Sequence, residues 1–340
     1  MTESQSFVPG PSDAHRMRFI PRRRLAGGHL MTIFCWAARR RLALPPPEAR
    51  LFQVTPDTQV LAHCYWQPAR ESHPVLLALH GLEGSSSAHY MRGLADKALR
   101  AGFSAVLLNQ RNCGDTEHLG PGLYHSGLVD DAALVIRELA GRDRIDRVVA
   151  AGYSLGGNLA LRLAGTHTRK ELPSLRGVCA VSPVLELESC VRALERRANV
   201  MYQWNFVRHL KARMRRKQAC FPDGFDLSRL AQVRTVRQFD AAYTAPYFGF
   251  DSAEDYYHRA SALRVADRIA VPALVITAAD DPFVPLEPFR DPKLAANPHI
   301  TLVVTSHGGH CGFLADAGPE TGDGYWAETQ IVEFAKRCVT

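Results

Sequence analysis

Five residues, Gly152-Tyr153-Ser154-Leu155-Gly156, constrain this chain more than any others. They fit G-x-S-x-G. Before them runs Arg147-Val148-Val149-Ala150-Ala151, an apolar stretch of strand length, and after them Asn158-Leu159-Ala160-Leu161-Arg162-Leu163-Ala164, rich in strong helix formers. Strand, sharp turn and helix form the context this motif requires. The glycines are needed because a backbone bent this tightly leaves no room for Cβ atoms beside the serine. The turn lifts the Ser154 hydroxyl above the sheet edge and aims the Leu155 amide at the place where an oxyanion would form. Alone the pentapeptide is a modest signal, since an ordinary βα turn can match it. What surrounds it in the sequence strengthens it.

Ile269 to Thr277 is β-branched and uncharged and reads as a buried parallel strand. It ends in Asp280-Asp281-Pro282, and a carboxylate just past the C-terminal end of such a strand is where an open sheet presents functional groups. Ile300 to Thr305 reads as a last strand, followed by Ser306-His307-Gly308-Gly309-His310-Cys311-Gly312-Phe313, an open glycine-rich loop. A serine hydroxyl is a poor nucleophile until an imidazole takes its proton, and a carboxylate fixes the imidazole tautomer. The expected set is Ser154, Asp281 and His310. Asp281 is preferred to Asp280 because it opens the D-P-x-V-P turn. His310 is preferred to His307 because it sits in mid-loop before Cys311-Gly312-Phe313.

An oxyanion hole needs a second amide. Pro74 to Leu79 reads as a strand, and His80-Gly81-Leu82-Glu83-Gly84 follows it directly, which makes the Leu82 amide the partner of Leu155. His80 is expected to pack within its loop rather than transfer protons. Asn109-Gln110-Arg111-Asn112-Cys113-Gly114 follows the strand-like Ala105 to Leu108, and two readings stand for it: a pocket floor or a plain βα turn.

At 340 residues, 46% hydrophobic and 22% charged, the chain suits one large α/β domain with an insertion. Its eight cysteines form no C-x-x-C pair and do not cluster with histidines at metal spacing, so neither a metal nor a cofactor is expected. The apolar run Leu30 to Ala38 is far below the roughly 20 residues that span a bilayer. It is flanked by Arg22 to Arg24 and Arg39 to Arg41. Packing on the body is the expectation for residues 1–50, with contact at a membrane surface as the alternative.

From about residue 51, strand and helix patterns alternate, as a mostly parallel sheet requires. Gln59 to Trp66 reads as an early antiparallel strand, Leu175 to Val181 as a central one, and Ala88 to Arg100, Leu128 to Ala140 and Tyr325 to Lys336 as helices. Between residues 186 and 262 the pattern breaks. Helical stretches, Val191 to Val200 and Phe206 to Gln218, are followed by seven aromatics from Phe239 to Tyr257. The expected division is a core of residues 51–185 and 263–340, with 186–262 inserted as a helical cap whose aromatics suit an apolar substrate. From Glu186 to Arg237 there are 12 Lys/Arg against 5 Asp/Glu. That excess reads as a solvated helix face; a cationic surface for anionic interfaces is the alternative, and no nucleic-acid motif accompanies it.

The chain resembles the YheT-like α/β-hydrolases, bacterial relatives of the abhydrolase-domain lipid esterases. The resemblance rests on phrases spread over nearly the whole chain: Gly28-His29-Leu30-Met31-Thr32, His80-Gly81-Leu82-Glu83-Gly84-Ser85, Asn109 to Gly114, Gly152 to Asn158, Phe239-Asp240, Asp280-Asp281-Pro282 and Gly308 to Phe313. It implies an α/β-hydrolase fold, a mostly parallel central sheet with helices on both faces and an inserted helical cap. It implies Ser154, Asp281 and His310 as the charge-relay residues, and a carboxylic ester hydrolase acting on short- or medium-chain or lipid acyl esters. It also points to a cytoplasmic protein, because the membrane-associated eukaryotic members carry an N-terminal anchor that is not seen here. An acyltransferase or thioesterase would use the same triad, and a binding protein could reuse the pocket without turnover. An aspartate-nucleophile enzyme is disfavoured by the serine at the elbow.

Overall fold

Short uncharged runs of β-branched and aliphatic residues become strands buried on both faces. The computed structural model describes residues 18–318 and 322–340. Its strands are β1 (Glu48–Thr55), β2 (Thr58–Tyr65), β3 (Val75–Leu79), β4 (Ser104–Leu108), β5 (Val148–Tyr153), β6 (Leu175–Val181), β7 (Ala273–Ala278) and β8 (Ile300–Thr305). They form one sheet in the order β1-β2-β4-β3-β5-β6-β7-β8. From β4 onward neighbours are parallel, while β2 pairs antiparallel with both β1 and β4. Alternation along each strand feeds two core layers. Val75, Leu77 and Leu79 of β3 face one layer, and Leu76 and Ala78 face the other.

Helices cover both faces: α1 (Gly28–Ala37), α2 (His89–Arg100), α3 (Asp130–Arg142), α4 (Leu155–Thr166), α5 (Leu187–Leu194), α6 (Val200–Cys220), α7 (Ala253–Ala260) and α8 (Trp326–Val339). α2 and α8 pack on one side with Met91, Leu94, Ile331 and Phe334, while α3 and α4 pack on the other with Val135, Ile136, Leu159 and Leu163.

Several boundaries differ from the sequence reading. β1 was not anticipated as a separate strand; its outward residues are exposed, so it lacks the continuous apolar run of the central strands. β7 begins at Ala273 rather than Ile269. Pro272 has no N–H to give the ladder, although its carbonyl accepts from Val178 N at 2.9 Å. The expected helix from Val191 to Val200 is broken. α5 ends at Leu194, and Asn199 Nδ2 donates to Ala193 O and Pro282 O at 2.8 and 2.7 Å, which supplies a partner near the helix end. The next helix then runs unbroken for 21 residues.

Residues 1–17 of the expected N-terminal segment lie outside the described residues. In the remainder, Met31, Thr32 and Cys35 of α1 are buried, and Arg40 forms a short ion pair with Glu328 on α8. Between 186 and 262 the described chain contains no strand; α5, α6, a mixed α and π run from Val236 to Tyr247, and α7 lie over the C-terminal strand ends. Two basic side chains there, Arg213 and Lys217, are turned inward, while Arg192, Arg196, Arg197, Arg208, Arg215, Arg216, Arg229 and Arg234 are exposed. Lys217 is fully buried and donates to Asn112 Oδ1 at 2.7 Å and to the carbonyls of Glu117 and Gly120, while Arg216 bonds Glu117. The solvated-face expectation therefore fails for Lys217, whose stem reaches carbonyl oxygens that would otherwise lack partners, and for Arg213, which meets Glu83, and it holds for the exposed majority. Among the described residues no helix is long and apolar enough to cross a membrane.

Candidate active site

β5 ends at Tyr153 and α4 begins at Leu155, so a single residue makes the turn. Ser154 takes φ 55° and ψ −116°, a conformation a side chain rarely adopts. Two close approaches enforce it. A Cβ on Gly152 would meet Gly156 O at 1.9 Å, and one on Gly156 would meet Leu79 O at 2.2 Å. The Ser154 backbone is held by N–H donation to Val181 O and by its carbonyl accepting from Asn158 N and Val184 N.

Asp281 and Asp280 each pair with one histidine. His310 Nδ1 lies 2.9 Å from Asp281 Oδ2, and the Asp281 side chain is 0% exposed. The other Asp281 oxygen accepts from the Phe283 and Val284 amides at 3.1 and 2.9 Å, so the carboxylate is fixed by its own turn. Asp280 instead accepts from Gly309 N at 2.9 Å and meets His307 Nδ1 at 3.1 Å in a more exposed setting. The Phe283 ring lies against His310, tilted by 44°, with centroids 4.1 Å apart. Burial pulls the His310 pKa down, but neighbouring Cys311 and the charge and hydrogen bond of Asp281 override it, so the pKa is raised above the ordinary histidine value. Among the described residues no hydrogen bond joins Ser154 Oγ to His310; such contacts commonly tighten only around substrate.

Leu82 lines the same pocket as Ser154 and Leu155. Among the described residues no protein group accepts a hydrogen bond from the Leu82 or Leu155 amide. Leu155 is the first residue of α4, where amides lack intrahelical acceptors and the helix dipole is positive. His80 is wholly buried, with Nδ1 2.8 Å from Gly81 O and Nε2 accepting from Gln110 N at 3.1 Å. Burial lowers its pKa to about 4, so it is a neutral brace. The segment from Asn109 to Gly114 does not line this pocket. Its side chains tie loops together: Asn109 Oδ1 accepts from Ser86 N, and Gln110 Nε2 donates to His80 O.

The pocket above Ser154 holds a cavity of about 90 Å³. Leu187, Val191, Leu194, Phe206, Leu210 and Phe239, all from the 186–262 segment, give it an apolar wall. Asp240 stands among them, bonded to Thr244 Oγ1 and Tyr257 Oη, each at 2.7 Å, with burial raising its pKa to about 6.

Sequence reasoning missed three supports. Thr32 Oγ1 accepts from His310 N at 2.8 Å and donates to Gly28 O at 2.6 Å, so α1 holds the histidine loop. Asn158 Nδ2 donates to Ser126 O and Ala260 O while its Oδ1 accepts from Ala262 N. Arg213 pairs with Glu83, next to Leu82. Thr32 and Asn158 fall inside two of the phrases that carry the resemblance, which was the available signal. Arg213 had none. All eight cysteines are free thiols, and among the described residues no group of three or more His, Cys, Asp or Glu could hold a metal ion.

A family model described as the alpha/beta hydrolase fold matches residues 74–317. YheT of Escherichia coli (strain K12), named there as a candidate esterase, is 34% identical over 93% of this chain and 92% of its own length. The phospholipase ABHD3 of Mus musculus is 27% identical over 85% of this chain and 74% of its own length. Among solved structures, the esterase Pf2001 of Pyrococcus furiosus superposes with a TM-score of 0.55 at 14% identity, covering 88% of this chain and 99% of that one. That likeness carries the fold alone. With the family model spanning most of the sheet and YheT matched almost end to end, the chain belongs to the α/β-hydrolase fold family, among its YheT-like members.

Proposed function

We propose that this protein is a serine esterase that cleaves carboxylic esters of short or medium chain, or lipid acyl esters, through an acyl-enzyme. The observation that carries the reading is the buried His310–Asp281 pair, 2.9 Å long, on the loops that follow β8 and β7, in the same sheet whose β5 leads into the strained Ser154 turn. Relatives named as esterases and phospholipases support it, as do a monoacylglycerol lipase of Saccharomyces cerevisiae at 30% identity and the apolar wall of the pocket.

In this reading Ser154 Oγ attacks the ester carbonyl carbon while His310 accepts the hydroxyl proton. Asp281 fixes the imidazole with its protonated nitrogen at Nδ1 and stabilises the imidazolium. The Leu82 and Leu155 amides receive the oxyanion, a contribution worth about 3 kcal/mol per donor in related chemistry. Collapse breaks the bond to the alcohol oxygen, which takes the proton from His310. Water then loses a proton to His310 and attacks the acyl carbon; the bond to Ser154 Oγ breaks as that oxygen takes the proton from His310, which frees the acid and restores the serine. Hydrolysis of p-nitrophenyl esters from acetate to palmitate, by wild type and by Ser154→Ala, tests this. Activity abolished in the variant is the expected result. A folded wild type inactive on the whole series would sink the reading.

A further inference from the structure

Among the described residues, large apolar side chains left in water are scarce except in one region. Leu30, Ile33, Phe34 and Trp36 of α1 and Val200, Met201 and Trp204 of α6 are all exposed, with Trp36 at 68%, Met201 at 69% and Trp204 at 58%. On α1 the outward arc is as apolar as the inward one. Met31, Thr32 and Cys35 bury on one side while Leu30, Ile33, Phe34 and Ala37 follow a helical stripe on the other. On α6, Val200, Met201 and Trp204 follow the same i, i+1, i+4 spacing. The two stripes are neighbours. His29 of α1 stacks on Tyr202 of α6 with centroids 5.7 Å apart and bonds its hydroxyl at 3.2 Å. Tyr202 in turn meets Phe283 at 5.3 Å, and Phe283 lies against His310.

Along the sequence, the charge on these two helices and their flanks has one sign. No acidic residue occurs from Arg18 to Pro47 or from Arg196 to Pro222. Arg23, Arg24, Arg39 and Arg41 flank α1 in the sequence and are exposed, as are Arg196 and Arg197 before α6, and the Arg208 guanidinium lies 5.1 Å over the Trp204 ring. Exposed tryptophans bordered by arginines are what an interface between water and an anionic lipid layer accommodates. The rings enter the acyl boundary and the guanidinium groups meet phosphate. A protein partner of ordinary composition would need no such one-sided charge.

We propose that the outward faces of α1 and of the first turns of α6 form a docking surface for an anionic lipid layer, beside the mouth of the site. Docking stands without turnover. Its use, to pass a water-insoluble ester from the layer to Ser154, rests on the esterase reading.

Co-sedimentation of the full-length Ser154→Ala protein with vesicles tests it. Partition onto phosphatidylcholine vesicles containing phosphatidylglycerol is expected to exceed that onto phosphatidylcholine alone by about tenfold, and to weaken as salt is raised. Trp36→Ser with Trp204→Ser should reduce that partition about tenfold while leaving turnover of p-nitrophenyl acetate by the otherwise wild-type enzyme unchanged. Equal partition onto both vesicles, or no loss in the double variant, overturns the proposal. So does a wild-type dimer that the double variant dissolves, which assigns the face to a second copy. Vesicle binding seen only after deletion of residues 1–17 also overturns it, by assigning the face to that segment. Vesicle binding by a wild type that hydrolyses no ester would keep the docking surface and discard the esterase reading.

Discussion

Arg213 Nη1 lies 2.9 Å from Glu83 Oε1, with side chains only 6% and 8% exposed. The pair joins the long helix over the pocket to the turn that carries Leu82. Glu83 itself takes φ 57°, its amide donates to Tyr124 Oη at 3.4 Å, and the Arg213 guanidinium lies 4.5 Å over the Tyr124 ring. Glu83→Gln leaves a buried guanidinium without its counter-charge and should cost about 3–5 kcal/mol in urea unfolding. Adding Arg213→Met should recover most of that stability but not the turnover rate, because the Leu82 turn loses its tether. Additive losses in the double variant would mean the two side chains act independently.

The pH profile follows from His310. Its folded pKa is raised, and the base must be neutral to accept the Ser154 proton. Ester hydrolysis should therefore climb with pH through an inflection above the ordinary histidine value of about 6.5. The linked stability has the opposite sense: it is fully present below the unfolded pKa and is lost as pH rises through the folded one. Asp281→Asn should move the inflection down and slow the reaction. A wild-type inflection below the ordinary value would contradict this electrostatic account.

Thr32 acts on His310 through the backbone. Thr32→Val keeps the shape but removes the acceptor at 2.8 Å, and should cost about 1–2 kcal/mol of stability. The expected kinetic signature is a fall in kcat with KM nearly unchanged, since no pocket wall moves. A change confined to KM would separate α1 from the histidine loop.

Asn158 makes four side-chain hydrogen bonds between buried segments. Asn158→Ala leaves Ser126 O, Ala260 O and Ala262 N without these partners and should cost about 3 kcal/mol by chemical denaturation. Asn158→Asp, which keeps the shape and the acceptor for Ala262 N, should lose the bonds donated by Nδ2 and remain destabilised. Near-native stability in the alanine variant would show that the re-entering chain relaxes around the gap.

The central sheet was legible because β3, β4, β5 and β7 are short runs without a charge, buried along their whole length. β6 was read to the residue even though Arg176 is exposed at its start. β1 was harder, since half of Glu48–Thr55 faces solvent and its partner is set only by a turn at Pro56-Asp57. Asp281 and His310 were legible from the D-P-x-V-P turn and the mid-loop position, but the second pair, Asp280 with His307, was not, because adjacent residues alternate across a turn whose shape is fixed by the Phe283 and Val284 amides. The inward-facing Arg213 and Lys217 were illegible for another reason. A basic residue on an amphipathic helix usually reaches water, and only partners in distant loops, carbonyl oxygens for Lys217 and the Glu83 carboxylate for Arg213, turn these two inward.

The two ends of the segment between Leu185 and Leu263 are fastened to each other. Leu263 N donates to Leu185 O at 3.1 Å, Leu187 N to Ser261 Oγ at 2.9 Å, and Asn158 clasps Ala260 and Ala262 from below. A chain whose ends already meet adds little entropy when it is lengthened, because closure depends only logarithmically on length. Extension or exchange of the intervening helices, with Arg213 and Asn199 kept, should therefore leave the serine turn standing. The pocket wall can be redrawn by insertion and recombination while the reacting groups, rooted in other strands, keep their spacing.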